Sequence, residues 1–183
     1  MMFPFILAAL AFVPMALEAR RSARNDRALR RAGAIEPAGD VYPLMQAAYP
    51  LSFAAMVVEA WLRRADADAV FLAGIAVFIF AKTLKYWAVV ALGERWTFRV
   101  LVPPGAALVT TGPYRLLAHP NYVAVIGELG GMALMCRAPL TGAIAVAGFA
   151  LIILGRIAVE ERAIGLESTK PCARPDSLPP PMR

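Results

Sequence analysis

The sequence predicts an all-α protein: a polytopic membrane bundle of about five transmembrane helices, including a C-terminal helical hairpin, with an interfacial loop region and a cytoplasmic C-terminal helix. Three observations carry this. Of the 183 residues, 60% are hydrophobic and only 17% charged, against the ~25% charge usual in a soluble domain. Several apolar runs approach the ~20 residues a helix needs to cross a bilayer. The net charge of +6 is also concentrated. Arginines 20, 21, 24, 27, 30 and 31, set against Asp26, place most of it in one short stretch. A nucleic-acid binder spreads basic residues over a soluble face, so no nucleic acid is expected as partner. A basic cluster directly after an apolar segment is instead the positive-inside signal. The chain 1–183 reads as one integral membrane domain. Residues 1–92 hold three N-terminal transmembrane helices, 93–168 hold the polar region and hairpin, and 169–183 form a Pro-rich tail expected to be disordered.

Residues 1–18 are apolar, begin uncharged and run into arginines, the reverse of a secretory signal. They predict a retained helix with its N-terminus outside. Residues 20–32 are polar and helix-compatible, expected at the cytoplasmic surface against anionic lipid. Gly33, Pro37, Gly39 and Pro43 then break the chain. Residues 43–62 form a second span, with Trp61 at the interface and Glu59 placed to snorkel outward. After an outer turn at 63–68, residues 69–92 form a third. Lys82 and Lys85, three apart, share its face near the inner end; they either snorkel to headgroups or line an opening for an acidic or polar substrate head.

Residues 93–118 are largely non-apolar, and Pro103-Pro104-Gly105 precludes a continuous helix. Residues 121–136 and 138–155 are apolar runs of ~24–27 Å at 1.5 Å per residue. The break at Arg137-Ala138-Pro139 makes an antiparallel hairpin their natural arrangement. Residues 155–167 continue as a polar-faced helix. Counting crossings from the arginine cluster puts His119 and Arg156 on the same, cytoplasmic, side.

Chemistry concentrates between Thr111 and Tyr122, which holds the one histidine of the chain, His119. Pro120 pre-sets the start of a helix, whose first N–H groups suit an anion. Arg156 and Glu160, four apart, share a helix face. Glu128 falls inside an apolar run, where an ionisable group is functional by default or paired within the bundle; it is expected to face the cavity, with a buried structural hydrogen bond as the rival reading. Gly130-Gly131 lies in that run without a G-x-G-x-x-G pattern, so no Rossmann-type cofactor site is expected. With one histidine and two unspaced cysteines, Cys136 and Cys172, no metal site is expected.

Gly112-Pro113-Tyr114-Arg115, His119-Pro120-Asn121-Tyr122, and Arg156 with Glu160-Glu161 together resemble the isoprenylcysteine carboxyl methyltransferase family of integral membrane methyltransferases. Arg24-Asn25, Gly33-Ala34-Ile35-Glu36, Tyr42-Pro43, Lys85-Tyr86-Trp87, Leu92-Gly93, Trp96 and Pro104-Gly105-Ala106 echo its bacterial branch that includes alkylpyrone O-methyltransferases. The resemblance covers roughly residues 20–162. It implies S-adenosylmethionine as methyl donor, surrounded by Ala106, Ala107, Leu108, Val109, Tyr114, His119, Pro120, Asn121 and Tyr122, with Glu160 on its ammonium group. It implies that Arg156 meets an anionic substrate head; Lys82 and Lys85 are further candidates for that head, and Glu128 or His119 for a base. The chain departs from the family at Ala118, where Arg often precedes the His-Pro pair. It also lacks the aromatic, basic segment that follows Glu161 in the eukaryotic enzymes, which argues against a prenylated-protein substrate. The implied activity is methylation of a carboxyl or acidic hydroxyl oxygen on a lipophilic substrate, at the cytoplasmic face of a bacterial inner membrane and among membrane lipids. A phospholipid-type N-methyltransferase and a non-catalytic lipid-binding protein of the same fold remain as alternatives.

Overall fold

The computed structural model describes residues 3–105 and 107–168; the expectations for Ala106, Cys172 and the 169–183 tail lie outside them. Five α-helices follow one another: α1 Phe3–Arg31, α2 Tyr42–Leu62, α3 Ala69–Leu92, α4 Pro120–Met135 and α5 Pro139–Ser168. Two short 3-10 turns, Gly93–Arg95 and Gly112–Arg115, punctuate the stretch between α3 and α4. Among the described residues, β pairing is confined to one antiparallel bridge between Ile35 and Val102.

The expected apolar span and polar surface helix at the N-terminus are a single helix, α1, running unbroken through Pro14 and the arginine cluster. At 1.5 Å per residue it is ~44 Å long. Its outward line reads Ile6, Leu10, Val13 and Leu17, all at least 41% exposed, then Arg20, Arg24, Arg27 and Arg31, also exposed. One helix face thus changes from apolar to basic within a turn. The inward face of the arginine segment has a different task. Asn25 Nδ2 donates to the carbonyls of Gly93 (3.2 Å) and Trp96 (2.7 Å), and Ser22 Oγ accepts from Phe98 N at 2.8 Å. The inward face of the segment therefore holds the 93–98 stretch in place.

Two helical stretches, Ala69–Arg95 and Pro139–Ala163, are long and apolar enough to cross a bilayer. Their outer surfaces carry exposed Leu72, Ile79, Phe80, Val90, Ile144, Leu151 and Leu154, as expected of helices that are hydrophobic all round. α4, with 16 residues, is shorter and is enclosed by its neighbours. Its most extensive packing is against α3, because both backbones are stripped of side chains where they meet. A Cβ at Gly131 would stand 2.7 Å from Phe78 N, and one at Gly74 would stand 2.6 Å from Met135 N. Small residues at such crossings are the usual means of close helix approach in membranes. Phe53, Met56, Leu129, Met132 and Met135 fill the core between α2, α4 and their neighbours.

Helix ends on the far side from the arginine cluster are closed by paired backbone bonds. Ala65 N reaches Ala60 O (3.0 Å) and Arg64 N reaches Trp61 O (3.3 Å), with Arg64 at φ 52°, the Schellman arrangement. Glu59 does not snorkel. It is 9% exposed and accepts from both Thr141 N (2.9 Å) and Thr141 Oγ1 (2.6 Å). Thr141 lies in the first turn of α5, where backbone N–H groups lack helical partners. A carboxylate from α2 therefore caps α5 across the bundle, and that satisfaction outweighs escape to water.

Candidate active site

The Gly112–Arg115 turn is fixed against α3 by its glycine. Gly112 has φ 61°, and a Cβ there would lie 2.9 Å from Ala91 Cβ and 3.2 Å from Trp87 Nε1. Pro113 is buried beneath it, and the half-buried Tyr114 points toward α5. Burial, then the charge of Glu160, push the Tyr114 hydroxyl up to about 12. His119 precedes the first residue of α4, Pro120, at φ −129° and ψ 64°, outside the helical region that a following proline disfavours. Its carbonyl accepts from Tyr122 N (3.1 Å) and Val123 N (3.3 Å). Those two N–H groups are therefore occupied by the chain itself, which diminishes the anion cradle expected at this helix start.

The side chains of α4 and α5 meet here. The His119 and Tyr122 rings stack with centroids 5.6 Å apart. His119 Nδ1 stands 3.5 Å from Glu160 Oε2, and Nε2 stands 3.7 Å from Glu161 Oε1. The Tyr122 hydroxyl donates to Glu160 and accepts from Arg156 Nε at 2.8 Å. The expected pairing of the His-Pro stretch with Arg156 and Glu160 is therefore formed.

Arg156 differs from its expected role. It is 3% exposed, and its guanidinium donates to Asp40 Oδ1 (3.1 Å), to the Phe98 carbonyl and to Tyr122. Asp40 in turn accepts from Tyr42 N and Val100 N, both at 3.1 Å. All three guanidinium nitrogens thus have protein acceptors, so Arg156 ties α5 to the 98–100 stretch and to the connector before α2. It is not a free cation awaiting an anionic head. Asp40 was not singled out in the sequence; its one signal is an acid among the breakers of the 33–43 connector.

Lys82 and Lys85 are likewise committed. Lys82 Nζ lies 2.8 Å from Glu18 Oε1 and 3.1 Å from Glu128 Oε2. Lys85 Nζ lies 2.6 Å from Glu18 Oε2 and 3.4 Å from Glu128 Oε2. The Tyr49 hydroxyl also donates to Glu128. Two acids and two bases from α1, α3 and α4 thus form a buried, charge-neutral quartet, an arrangement that offsets the desolvation a lone charge would suffer there. Glu18 and Tyr49 were missed in the sequence. Glu18 was readable as an acid at the end of an apolar run, but Tyr49 gave no signal among other span aromatics.

These groups surround a cavity of about 1100 Å³. Its polar end is formed by Leu108, Val109, Tyr114, His119, Asn121, Tyr122, Glu160 and Glu161, and its deeper wall by Met15, Met45, Tyr49, Lys85, Val125 and Phe149. Ala107 and Pro120 stand off the wall, as do Lys82 and Glu128 behind Lys85 and Tyr49. The Ala107 carbonyl accepts from Arg95 at 2.7 Å. Glu128 is 1% exposed and therefore serves the quartet rather than the cavity surface. Two cavity-lining residues carry buried polar atoms without a hydrogen-bond partner: the donor Trp96 Nε1 and the acceptor Asn121 Oδ1. The lining cations Lys85, Arg99 and Arg156 each have carboxylate partners. Among the described residues, Glu161 and one oxygen of Glu160 have His119 as their partner within ion-pair range. The polar end is therefore suited to a cationic ligand that also offers donor and acceptor groups. Among the described residues no cluster of His, Cys, Asp and Glu is arranged for a metal ion.

The fold and site thus define a helical membrane protein with a cavity in its bundle lined by both polar and apolar side chains. The family model described as "Isoprenylcysteine carboxyl methyltransferase (ICMT) family" matches residues 74–165. An uncharacterized protein of Bacillus subtilis (strain 168), YpbQ, is 31% identical over 166 residues, covering 91% of this chain and 99% of the relative. An uncharacterized protein of Haemophilus influenzae is 28% identical over 144 residues, covering 78% of this chain and 84% of the relative. No solved structure matches significantly. The chain belongs to the isoprenylcysteine carboxyl methyltransferase family, a family of helical membrane methyltransferases. The matched region spans most of α3 through the site-bearing part of α5.

Proposed function

We propose that the protein is an S-adenosylmethionine-dependent methyltransferase acting on a carboxyl or acidic hydroxyl oxygen of a lipophilic substrate at the cytoplasmic membrane face. The observation that carries this reading is the Tyr122 hydroxyl held between Arg156 and Glu160 beside His119, at a cavity that Met15, Met45, Val125 and Phe149 also line. The residues fit the cofactor's chemistry. Glu160 and Glu161 suit its positive charge, and the rings of Tyr114, His119 and Tyr122 line the same cavity. Leu108, Val109, Tyr114, His119, Asn121, Tyr122 and Glu160 would hold it. When bound, it supplies an activated methyl group on a sulfonium sulfur.

The chain's own residues then do the positioning. Arg156 locks Tyr122 and the 98–100 stretch so that the cavity wall is set before substrate arrives, which spares reorganisation at the reacting step. Met15, Met45, Val125 and Phe149 accept the lipid tail and exclude water. The basic end of α1 and the polar end of α5 face the cytoplasm in this reading, and all five helices cross a bacterial inner membrane.

The test is transfer of labelled methyl from S-adenosylmethionine into host lipid extract by the purified protein, with identification of the product. In parallel, S-adenosylmethionine at ~100 times its dissociation constant should stabilise the protein by ~2.7 kcal/mol in detergent. Glu160→Gln should lose most of that shift; an unchanged shift would remove Glu160 from the cofactor site, and no shift in the wild type would remove the cofactor.

A further inference from the structure

A second cavity, of about 920 Å³, lies at the other end of α4 and shares no lining residue with the first. Two turns face each other across it: the 63–68 turn between α2 and α3, and the Arg137-Ala138-Pro139 break between α4 and α5. The turns supply a charged rim of Arg63, Arg64, Asp66, Asp68 and Arg137. The helices supply an apolar wall. On α5, Pro139, Gly142, Ala143 and Val146 line it; they are three or four apart, so one helix face runs from the rim into the apolar layer. Val70 of α3 and Leu134 of α4 flank that face. Its floor is closed, since a Cβ on Gly142 would stand 2.4 Å from that of Ala133. Trp61, at the end of α2 just before the rim, is exposed, and an amphipathic ring of this kind sits at headgroup depth.

Three of the five rim charges are already paired. Arg63 stands 2.8 Å from Glu59, and Arg137 pairs with Asp68, joining the two turns. Among the described residues Arg64 and Asp66, both exposed, have no ion-pair partner. One free cation and one free anion therefore stand two residues apart on the rim. The backbone adds a second observation. Arg64 (φ 52°) and Arg137 (φ 48°) are the two non-glycine residues of positive φ among the described residues. Arg137 ends α4 as Arg64 ends α2, with Ala138 N on Ala133 O (3.0 Å) and Arg137 N on Leu134 O (3.1 Å). Glycine is the usual residue at this position, and the chain uses it at its other positive-φ positions, such as Gly33 and Gly112. A longer side chain there is strained. At Arg137 the ion pair with Asp68 offsets the strain; at Arg64 no partner among the described residues does.

We propose that this cavity binds a zwitterionic glycerophospholipid with a primary ammonium group, its phosphate on Arg64, its ammonium on Asp66 and an acyl chain along the 139–146 face of α5. A guanidinium offers paired N–H donors that match phosphate oxygens, and an ammonium offers three donors to a carboxylate. The free pair on the rim and the lipid head are both neutral overall. An anionic lipid lacks the cation that Asp66 needs, and a choline head has no N–H to donate to it. The lipid is a structural ligand and not a methyl acceptor. His119 precedes the first residue of α4 and Arg137 follows its last turn, so the helix separates the two cavities.

The test uses the full chain, delipidated in detergent, and a phosphatidylethanolamine carrying a photoreactive diazirine on one acyl chain. Labelling should fall on the 133–146 segment, which reads this cavity apart from the arginine cluster of α1. Unlabelled dioleoyl phosphatidylethanolamine should compete for that label better than the phosphatidylcholine or phosphatidylglycerol of the same chains. Arg64→Gly suits a φ of 52°, so its thermal midpoint without lipid should equal or exceed that of the wild type. It should nonetheless weaken the competition about tenfold or more, as loss of a hydrogen bond between charged groups does. Arg64→Lys, which keeps the charge, should recover part of it. Asp66→Asn should erase the preference for phosphatidylethanolamine over phosphatidylcholine. Absence of label from the 133–146 segment, equal competition in wild type and Arg64→Gly, or phosphatidylglycerol competing as well as phosphatidylethanolamine overturns the proposal. Glycerophosphoethanolamine, the same head without acyl chains, should not compete at equal concentration; if it does, the ligand is a soluble phosphate ester and the lipid assignment fails.

Discussion

Two adjacent glycines in α4 should respond oppositely to the same change. At Gly131, a new Cβ would stand 2.7 Å from Phe78 N and 2.9 Å from both Phe78 Cα and Phe78 Cβ. Optimal contact between carbons is ~3.5–4.0 Å, so Gly131→Ala demands that α3 and α4 separate by roughly 0.7–1 Å. The obstructing atoms are backbone and Cβ, so no rotamer change relieves them. Overpacking of this kind costs ~1–3 kcal/mol. At Gly130, a Cβ would meet nothing within 4 Å. Both substitutions gain the same ~1 kcal/mol of helix propensity, which cancels when the variants are compared. Gly131→Ala should therefore be less stable than Gly130→Ala by ~1–3 kcal/mol, which at ~2–4 °C per kcal/mol is roughly 2–12 °C in Tm. Thermal unfolding of both variants in one detergent decides it. Equal midpoints, or a more stable Gly131→Ala, would refute the close α3–α4 contact. The consequence extends to the site, since Glu128 lies one turn before Gly131 on the same helix and reaches both lysines across this contact.

The cap of Glu59 on Thr141 should appear as a coupled pair. Glu59→Leu leaves a first-turn N–H of α5 without its carboxylate and should cost ~1–3 kcal/mol in thermal or denaturant unfolding. Thr141→Val, which keeps the N–H, should cost less, and the double variant should cost less than the sum, since the two residues share one bond network. The clasp around Glu36 should be acid-sensitive. Burial raises its carboxyl, but hydrogen bonds from Arg30 and Arg99, the latter at 2.7 Å, outweigh this and hold it below its ordinary value of 4.5. A carboxyl held low in the folded state contributes stability above its unfolded value and loses it as pH falls through the folded one. The protection factors of the 32–41 connector in hydrogen exchange, taken against the intrinsic rate at each pH, should therefore fall as pH drops below 4.5. In Glu36→Gln, protection of that connector should be lower already at neutral pH and the acid step absent; a step that survives the substitution would assign the sensitivity to another group.

The sequence by itself determined the helical segments, the break at Arg137-Ala138-Pro139, the polar island ending in His119-Pro120-Asn121-Tyr122 and the shared helix face of Arg156 and Glu160. Those features rest on local rules: apolar run length, proline and glycine punctuation, and the four-residue spacing that puts two side chains on one helix face. It also marked Glu128, Lys82 and Lys85 as ionisable groups that an apolar segment must account for. Their partners were decided only by the tertiary structure. Glu18 meets Lys82 across 64 residues of chain, Tyr49 meets Glu128 across 79, and Asp40 meets Arg156 across 116. No periodicity encodes such pairings, because they depend on how helices rotate and approach, and that is fixed by side-chain volume at crossings such as Gly74, Gly127 and Gly131. The same physics reversed the snorkelling expected of Glu59 and set the partners of the lysines and Arg156. A charge near a span end is free to reach water only if no neighbouring helix offers it a partner, and the packed bundle offered one to Glu59, to both lysines and to Arg156.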